Sequence, residues 1–175
     1  MGFFTNKNKE SKKSLEQNEN NFDENVEKIF SPIKGELIKL CEVEDEVFSQ
    51  EIIGKGIAIK PSEGKVYSPF NGTVVMTFVT KHAIALISDG GCELLIHLGM
   101  DTVKLKGKYF DLKIKDSQKV KKGDLLFTFD LKGIISEGYS TDTPIVITNS
   151  SDYKEIILQE CKRVNVSDEI ITLKR

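Results

Sequence analysis

The run Glu93-Leu94-Leu95-Ile96-His97-Leu98-Gly99-Met100-Asp101-Thr102-Val103 begins as an apolar strand and ends on a histidine, with a glycine and a carboxylate close behind. The chain has only two histidines, and the other, His82, stands in a second strand-like run, Phe78-Val79-Thr80-Lys81-His82-Ala83-Ile84. Between them lies Ser88-Asp89-Gly90-Gly91, turn chemistry of the kind that closes a hairpin. The layout predicts two antiparallel strands that bring both imidazoles to one surface. Side chains alternate along a strand, so Phe78, Thr80, His82 and Ile84 are expected on one face of the first strand, with Leu95 and His97 on one face of the second. A single histidine on an apolar face is ordinarily a packed residue whose nitrogens meet backbone groups. With both histidines on strands that a hairpin pairs, a shared site stands beside that reading.

Outward from the hairpin the texture stays all-β. Short runs rich in Ile, Val, Leu, Phe and Thr alternate with turn signals such as Lys34-Gly35, Asn71-Gly72, Lys106-Gly107 and Lys122-Gly123-Asp124. Strands are expected near 35–41, 56–59, 72–78, 83–88, 92–98, 125–129, 144–148 and 170–173. Short helical turns are expected near 49–53, 131–138 and 151–156. This pattern reads as an antiparallel β-sandwich, barrel-like, with little helix. Ser31-Pro32-Ile33-Lys34-Gly35 and Ser68-Pro69-Phe70-Asn71-Gly72 share Ser-Pro-x-x-Gly ahead of a strand. The echo is either chance at a common kind of strand start or the mark of two similar sheet layers.

Residues 1–28 are rich in Asn, Lys, Glu and Ser and read as a flexible polar tail, so that one domain covers 29–175. Phe3 and Phe4 beside Lys7, Lys9, Lys12 and Lys13 form at most a weak membrane-touching segment; a solvated tail is the expectation. Hydrophobic residues make up 39% and charged ones 30%, and the formal net charge is -2, which gives no electrostatic reason to expect nucleic acid. The densest basic run, Lys119-Val120-Lys121-Lys122, leads into Gly123-Asp124 and reads as a solvated turn. Cys41, Cys92 and Cys161 are odd in number and widely spaced, which suggests neither a disulfide framework nor a zinc cluster and fits a reducing cytoplasm. No apolar run is long enough to span a bilayer, and the N-terminus lacks a secretory pattern. Met1-Gly2 fails the myristoylation motif at Asn6.

Taken together, the residues closely resemble the glucose-type enzyme IIA component of the bacterial phosphoenolpyruvate-dependent sugar phosphotransferase system. The landmarks are Ser31-Pro32 with Gly35, Gly54-Lys55-Gly56-Ile57-Ala58-Ile59-Lys60-Pro61, Ser68-Pro69 with Gly72, and Thr80-Lys81-His82-Ala83. His97-Leu98-Gly99-Met100-Asp101-Thr102-Val103 carries the family's active-site signature, and Val120 to Asp124 and Thr143 to Ile147 close the match. The resemblance implies a β-sandwich acting as a ping-pong phosphoryl carrier. It implies that His97 is the nucleophile, taking a phosphoryl group from the phosphohistidine carrier HPr and passing it to a cysteine of an enzyme IIB domain. His82 is the implied donor to the phosphoryl oxygens, and Thr80 orders that network. The implied docking ring is Val47, Phe48, Ile52, Ile53, Phe78, Ile84, Leu95 and Val103, with backbone amides around Gly99 near the phosphoryl group, and Asp45 and Asp101 facing a basic patch on HPr. Glu46 and Leu95 depart from better-known members, where an apolar rim residue and an aromatic stand.

The chemistry suits the residues. A neutral imidazole is a good nucleophile and, once phosphorylated, a good leaving group. Neither cofactor nor metal is required, although His82 and His97 are candidates for adventitious or regulatory zinc. The resemblance places the protein in the cytoplasm, meeting an enzyme IIB/IIC permease in trans at the inner face of the membrane; the sugar is set by that membrane component. Three rival readings remain at this point. A zinc hydrolase on His82, His97 and Asp101 lacks the further histidine of a His-x-His pair. A biotinyl or lipoyl carrier fits Gly64 to Gly72 and Val120 to Asp124 but lacks a flanked lysine at a hairpin tip. A regulatory module binding permeases or metabolic enzymes through the same face is compatible with the carrier role.

Overall fold

The computed structural model describes residues 25–175. β1 (Val26–Phe30) and β2 (Gly35–Lys39) lead through a 3-10 turn at Leu40–Glu42 into α1 (Glu46–Ser49). β3 (Lys55–Pro61), β4 (Lys65–Tyr67), β5 (Gly72–Thr77), β6 (Ala83–Ser88) and β7 (Glu93–His97) follow. A 3-10 turn at Thr102–Leu105 precedes β8 (Phe110–Leu112), β9 (Lys119–Val120), β10 (Leu125–Phe129) and α2 (Leu131–Ser136). β11 (Thr143–Ile147), a 3-10 turn at Ser150–Asp152, β12 (Glu155–Leu158), β13 (Arg163–Val164) and β14 (Glu169–Lys174) complete the chain. Every strand expected from the sequence is present. The strands that were not expected are β1, β4, β8, β9, β12 and β13, most of them too short for alternation to register. β1 begins before Ile29, while the Phe3-Phe4 segment lies outside the described residues. α1 sits ahead of the turn expected at 49–53, because Asp45 caps it and sets its start. No helix among the described residues is long and apolar enough to cross a membrane.

An eight-stranded antiparallel sheet, ordered β13-β2-β3-β11-β7-β6-β5-β9, faces two three-stranded sheets, β1-β14-β12 and β4-β10-β8. The order is palindromic about β11 and β7, where Ile145 pairs directly with Ile96. The two halves repeat one another in detail. Ser31 Oγ donates to the Ile33 carbonyl at 2.7 Å, and Ser68 Oγ to the Phe70 carbonyl at 2.7 Å. The Phe30 amide donates to the Pro69 carbonyl, and the Tyr67 amide to the Pro32 carbonyl. Gly35 and Gly72 are forced in the same way: a Cβ would stand 2.1 Å from the Lys60 carbonyl in one half and 2.2 Å from the Ile87 carbonyl in the other. The Ser-Pro-x-x-Gly echo is therefore not chance, but it marks two like halves of one sheet and not two layers, since β2 and β5 both belong to the eight-stranded sheet.

The main core fills the space between the large sheet and the two small ones. It takes Leu37, Ile59, Ile84, Leu94, Ile96 and Ile145 from the large sheet, and Ile29, Val66, Leu126, Phe127 and Ile171 from the small ones. The large sheet is also apolar on its outer face. There Ile38, Ala58 and Val146 pack with Leu40, Val43, Phe48 and Met100 in a second cluster, flanked by Ile53 and Leu95. β11 is buried along its whole length because it is covered on both sides. His97, against the Phe48 ring, lies at the margin of this second cluster.

Candidate active site

The expected hairpin forms, with Ala83 opposite His97 and Ile84 opposite Ile96. One part of the expectation is corrected. Phe78 to His82 are not strand: β5 ends at Thr77, and Lys81 turns the chain with φ 56. Alternation across that turn is lost, so Ile84 does not share a face with His82. Ile84 is fully buried in the main core beside Ile96, and it cannot belong to a docking ring. The residues that share the His97 face are Ala83 and Ala85, opposite His97 and Leu95. Small side chains there leave room for rings.

Four rings form a column. Phe78 stands 5.5 Å from His82, His82 4.9 Å from His97 and His97 5.0 Å from Phe48, centroid to centroid, with the imidazoles nearly perpendicular at 83°. Backbone ties fix the pair, since the Leu98 amide donates to the His82 carbonyl at 2.7 Å. His97 Nδ1 donates to the Gly99 carbonyl at 2.9 Å, because a carbonyl only accepts. In the neutral ring this leaves Nε2 with a free lone pair. The Gly99 carbonyl is itself held in place. Gly99 has φ 67, and a Cβ there would meet the Ser140 carbonyl at 2.5 Å, while the Met100 amide bonds that same carbonyl at 3.1 Å. Thr102 Oγ1 closes the turn by donating to the Leu98 carbonyl. Thr80 Oγ1 lies 2.6 Å from His82 Nδ1.

Burial, and then the neighbouring His82, push the His97 imidazole down to about 4; the Gly99 carbonyl and the Asp45 carboxylate oppose this. Burial also lowers His82, which is 7% exposed. Both rings are thus held neutral near pH 7, the form in which an imidazole attacks. As a metal centre the pair offers two nitrogens. Among the described residues no three His, Cys, Asp or Glu side chains converge to complete a ligand set.

A protein-family model described as phosphoenolpyruvate-dependent sugar phosphotransferase system, EIIA 1, matches residues 27–153. The chain belongs to this family. Glucose permease IIA from Mycoplasma capricolum is 37% identical, with a TM-score of 0.80 over 85% of this chain and 96% of that one. A β-glucoside-specific EIIBCA component of Halalkalibacterium halodurans is 45% identical over 149 residues, and one of Bacillus subtilis 48% over 145. These alignments take in 85% and 83% of this chain but 23% and 24% of the relatives, so it spans about a quarter of their length. The protein is a glucose-type enzyme IIA domain of the sugar phosphotransferase system, built on the expected antiparallel β-sandwich.

Around the imidazoles of this enzyme IIA domain the remaining sequence candidates separate into three kinds. Val47, Ile52 and Val103 stand out as exposed apolar side chains. Phe48 is buried, while Ile53 and Leu95 are half-buried against the second cluster and Phe78 is half-buried in its turn. The two acids are both engaged: Asp45 caps α1, and Asp101, an exposed residue at φ 60, pairs with Lys104 at 2.8 Å. Reading Phe78 to Ile84 as strand concealed Val79, which projects from the turn with 95% of its surface exposed. Met76 was missed as well. It pairs with Ala85, whose other neighbour is Leu95, so it extends the apolar face toward β5. The β-bulge between Val74 and Met76 hid this from a simple alternation count.

Proposed function

We propose that His97 Nε2 accepts a phosphoryl group from the phosphohistidine of HPr and hands it to a cysteine thiolate of an enzyme IIB domain. The observation that carries this reading is the Nδ1 hydrogen bond to Gly99, which leaves Nε2 as the unprotonated atom beside a second imidazole. In the first step the Nε2 lone pair forms a bond to phosphorus while the donor's P–N bond breaks and returns its electron pair to the donor ring. The phosphorylated His97 ring keeps its Nδ1 proton and becomes cationic, and the Gly99 carbonyl supports that charge. In the second step the thiolate forms an S–P bond as the Nε2–P bond breaks, restoring neutral His97. No proton need cross the site.

With Thr80 Oγ1 donating to His82 Nδ1, the His82 Nε2–H is free to donate to a phosphoryl oxygen. The buried ring of Phe48 and the half-buried ring of Phe78 keep water from the adduct. Val47, Ile52, Val79 and Val103 form the rim on which HPr and the IIB domain dock, with Asp45 and Asp101 attracting cations of HPr. The relatives are named EIIBCA, so B, C and A components occur together in them, which supports a IIB/IIC permease as acceptor at the inner face of the membrane. About two negative charges added at the centre of this apolar rim would also weaken any other partner bound there, the physical basis of a regulatory role.

The deciding experiment incubates the protein with phosphoenolpyruvate, enzyme I and HPr and reads the phosphate adduct by intact mass. Wild type and His82→Ala are expected to carry phosphate and His97→Ala none. A folded wild type without an adduct overturns the reading.

A further inference from the structure

We propose that Asp45 is a positioning residue for the phosphohistidine, acting through Phe48 rather than through its charge. This rests on the carrier reading of His97. α1 is a single turn, too short to hold itself in water. Asp45 supplies what it lacks: Oδ1 accepts from the Val47 amide at 2.9 Å and from the Phe48 amide at 3.3 Å, and the Asp45 carbonyl accepts from the Ser49 amide at 2.8 Å. One of the capped residues is the one that covers the nucleophile. Phe48 is rooted in the second apolar cluster, is 6% exposed, and places its ring 5.0 Å from that of His97. The cap therefore holds in place a ring that keeps water from one side of His97.

Water destroys a phosphohistidine by attacking phosphorus. The water oxygen forms the new P–O bond, the Nε2–P bond breaks with its electron pair returning to the ring, and inorganic phosphate leaves with both water protons. A frayed α1 lifts Phe48 and admits that water. Asp45 therefore governs how long the phosphoryl group survives before an acceptor arrives, separately from any contact it makes with HPr.

The test labels the full chain with phosphoenolpyruvate, enzyme I and HPr, removes the donors, and follows loss of the adduct at neutral pH by intact mass. Decay after removal of the donors does not depend on how well HPr docks. Asp45→Ala is expected to shorten the lifetime roughly three- to tenfold, the factor by which an uncapped turn opens more often. Asp45→Asn and Asp45→Ser keep a capping oxygen without the charge and are expected to stay within about twofold of wild type. Phe48→Ala should shorten the lifetime at least as much as Asp45→Ala, and the double variant no further than Phe48→Ala alone. An Asp45→Asn lifetime as short as that of Asp45→Ala assigns the effect to charge and overturns the proposal, as does an Asp45→Ala lifetime equal to wild type. A folded wild type that takes up no phosphate fails earlier, at the carrier reading itself.

Discussion

Ile38 and Met76 occupy equivalent places in the two halves of the molecule, yet one is 4% exposed and the other 44%. The equivalence runs through the pairing. Ile38 faces Ala58 on β3, and Met76 faces Ala85 on β6; across the axis Val146 stands where His97 stands. In the first half residues 40–54 connect the strands, and their 3-10 turn and α1 fold over the sheet, so that Val146 is fully buried. In the second half residues 78–82 make only a short turn, and the sheet face stays open around His97. The scaffold is repeated, but its covering is not. The proposed phosphoryl acceptor lies where the covering of one half ends and the bare face of the other begins, a place that leaves a side chain partly desolvated and still reachable.

The largest test of this contrast exchanges function for packing. His97→Ala should abolish phosphate uptake from HPr completely while the fold persists, whereas Val146→Ala at the equivalent place should keep uptake and lose stability; intact mass and urea unfolding read the two outcomes. Next in size, Ile38→Ala should lower unfolding free energy by about 2–5 kcal/mol, since it opens a cavity under α1. Met76→Ala, on the uncovered side, should stay within about 0.5 kcal/mol in the same urea titration. Equal costs at both positions would mean that the two faces are covered alike in solution.

The pH dependence comes next. His97 is held at about 4 in the folded protein against 6.5 for an ordinary imidazole. Between those values the unfolded chain binds more protons at His97, so the His97 contribution to stability is constant above about pH 6.5 and is lost progressively as pH falls to about 4. The loss assigned to His97 should be about 1–3 kcal/mol after allowance for its partial exposure. His97→Gln should flatten that part of the curve, and parallel wild-type and variant curves would show that His97 is not desolvated.

The smallest test lies in two turns that repeat one another. The Lys121 amide donates to Asp124 Oδ2 at 2.8 Å and the Asn165 amide to Asp168 Oδ2 at 2.7 Å. Gly123 has φ 88 and Ser167 φ 71 at matching places, so one half uses glycine where the other strains a serine. Gly123→Ser should cost about 1 kcal/mol and Ser167→Gly should gain up to about that much in thermal unfolding. Opposite signs would show that the turns differ in solution.

The strands that were legible are those whose residues satisfy a long apolar contact on their own. β3 and β11 read clearly because both of their faces are buried. β9 and β13 did not, because a two-residue strand has no period and exists only by pairing with β5 and β2. The hairpin and its histidines were legible from one turn and two apolar runs. Placing Ile84 beside His82 failed at Lys81, where the positive φ breaks alternation and no residue type in Thr80-Lys81-His82 announces it.

By itself the sequence determined the all-β class, the internal echo, the scarcity of histidine and the apolar stretch that ends on His97. These follow from side-chain period, turn chemistry and composition, which are local properties. Tertiary structure alone decided that the His97 Nδ1 proton goes to Gly99, that the His82 ring closes to 4.9 Å from that of His97, and that Phe48 lies against His97 while Ile84 turns inward. Each depends on which face of a sheet is covered and by what. That is settled by packing between segments far apart in the chain, where desolvation and contact are properties of the assembled layers and not of any single strand.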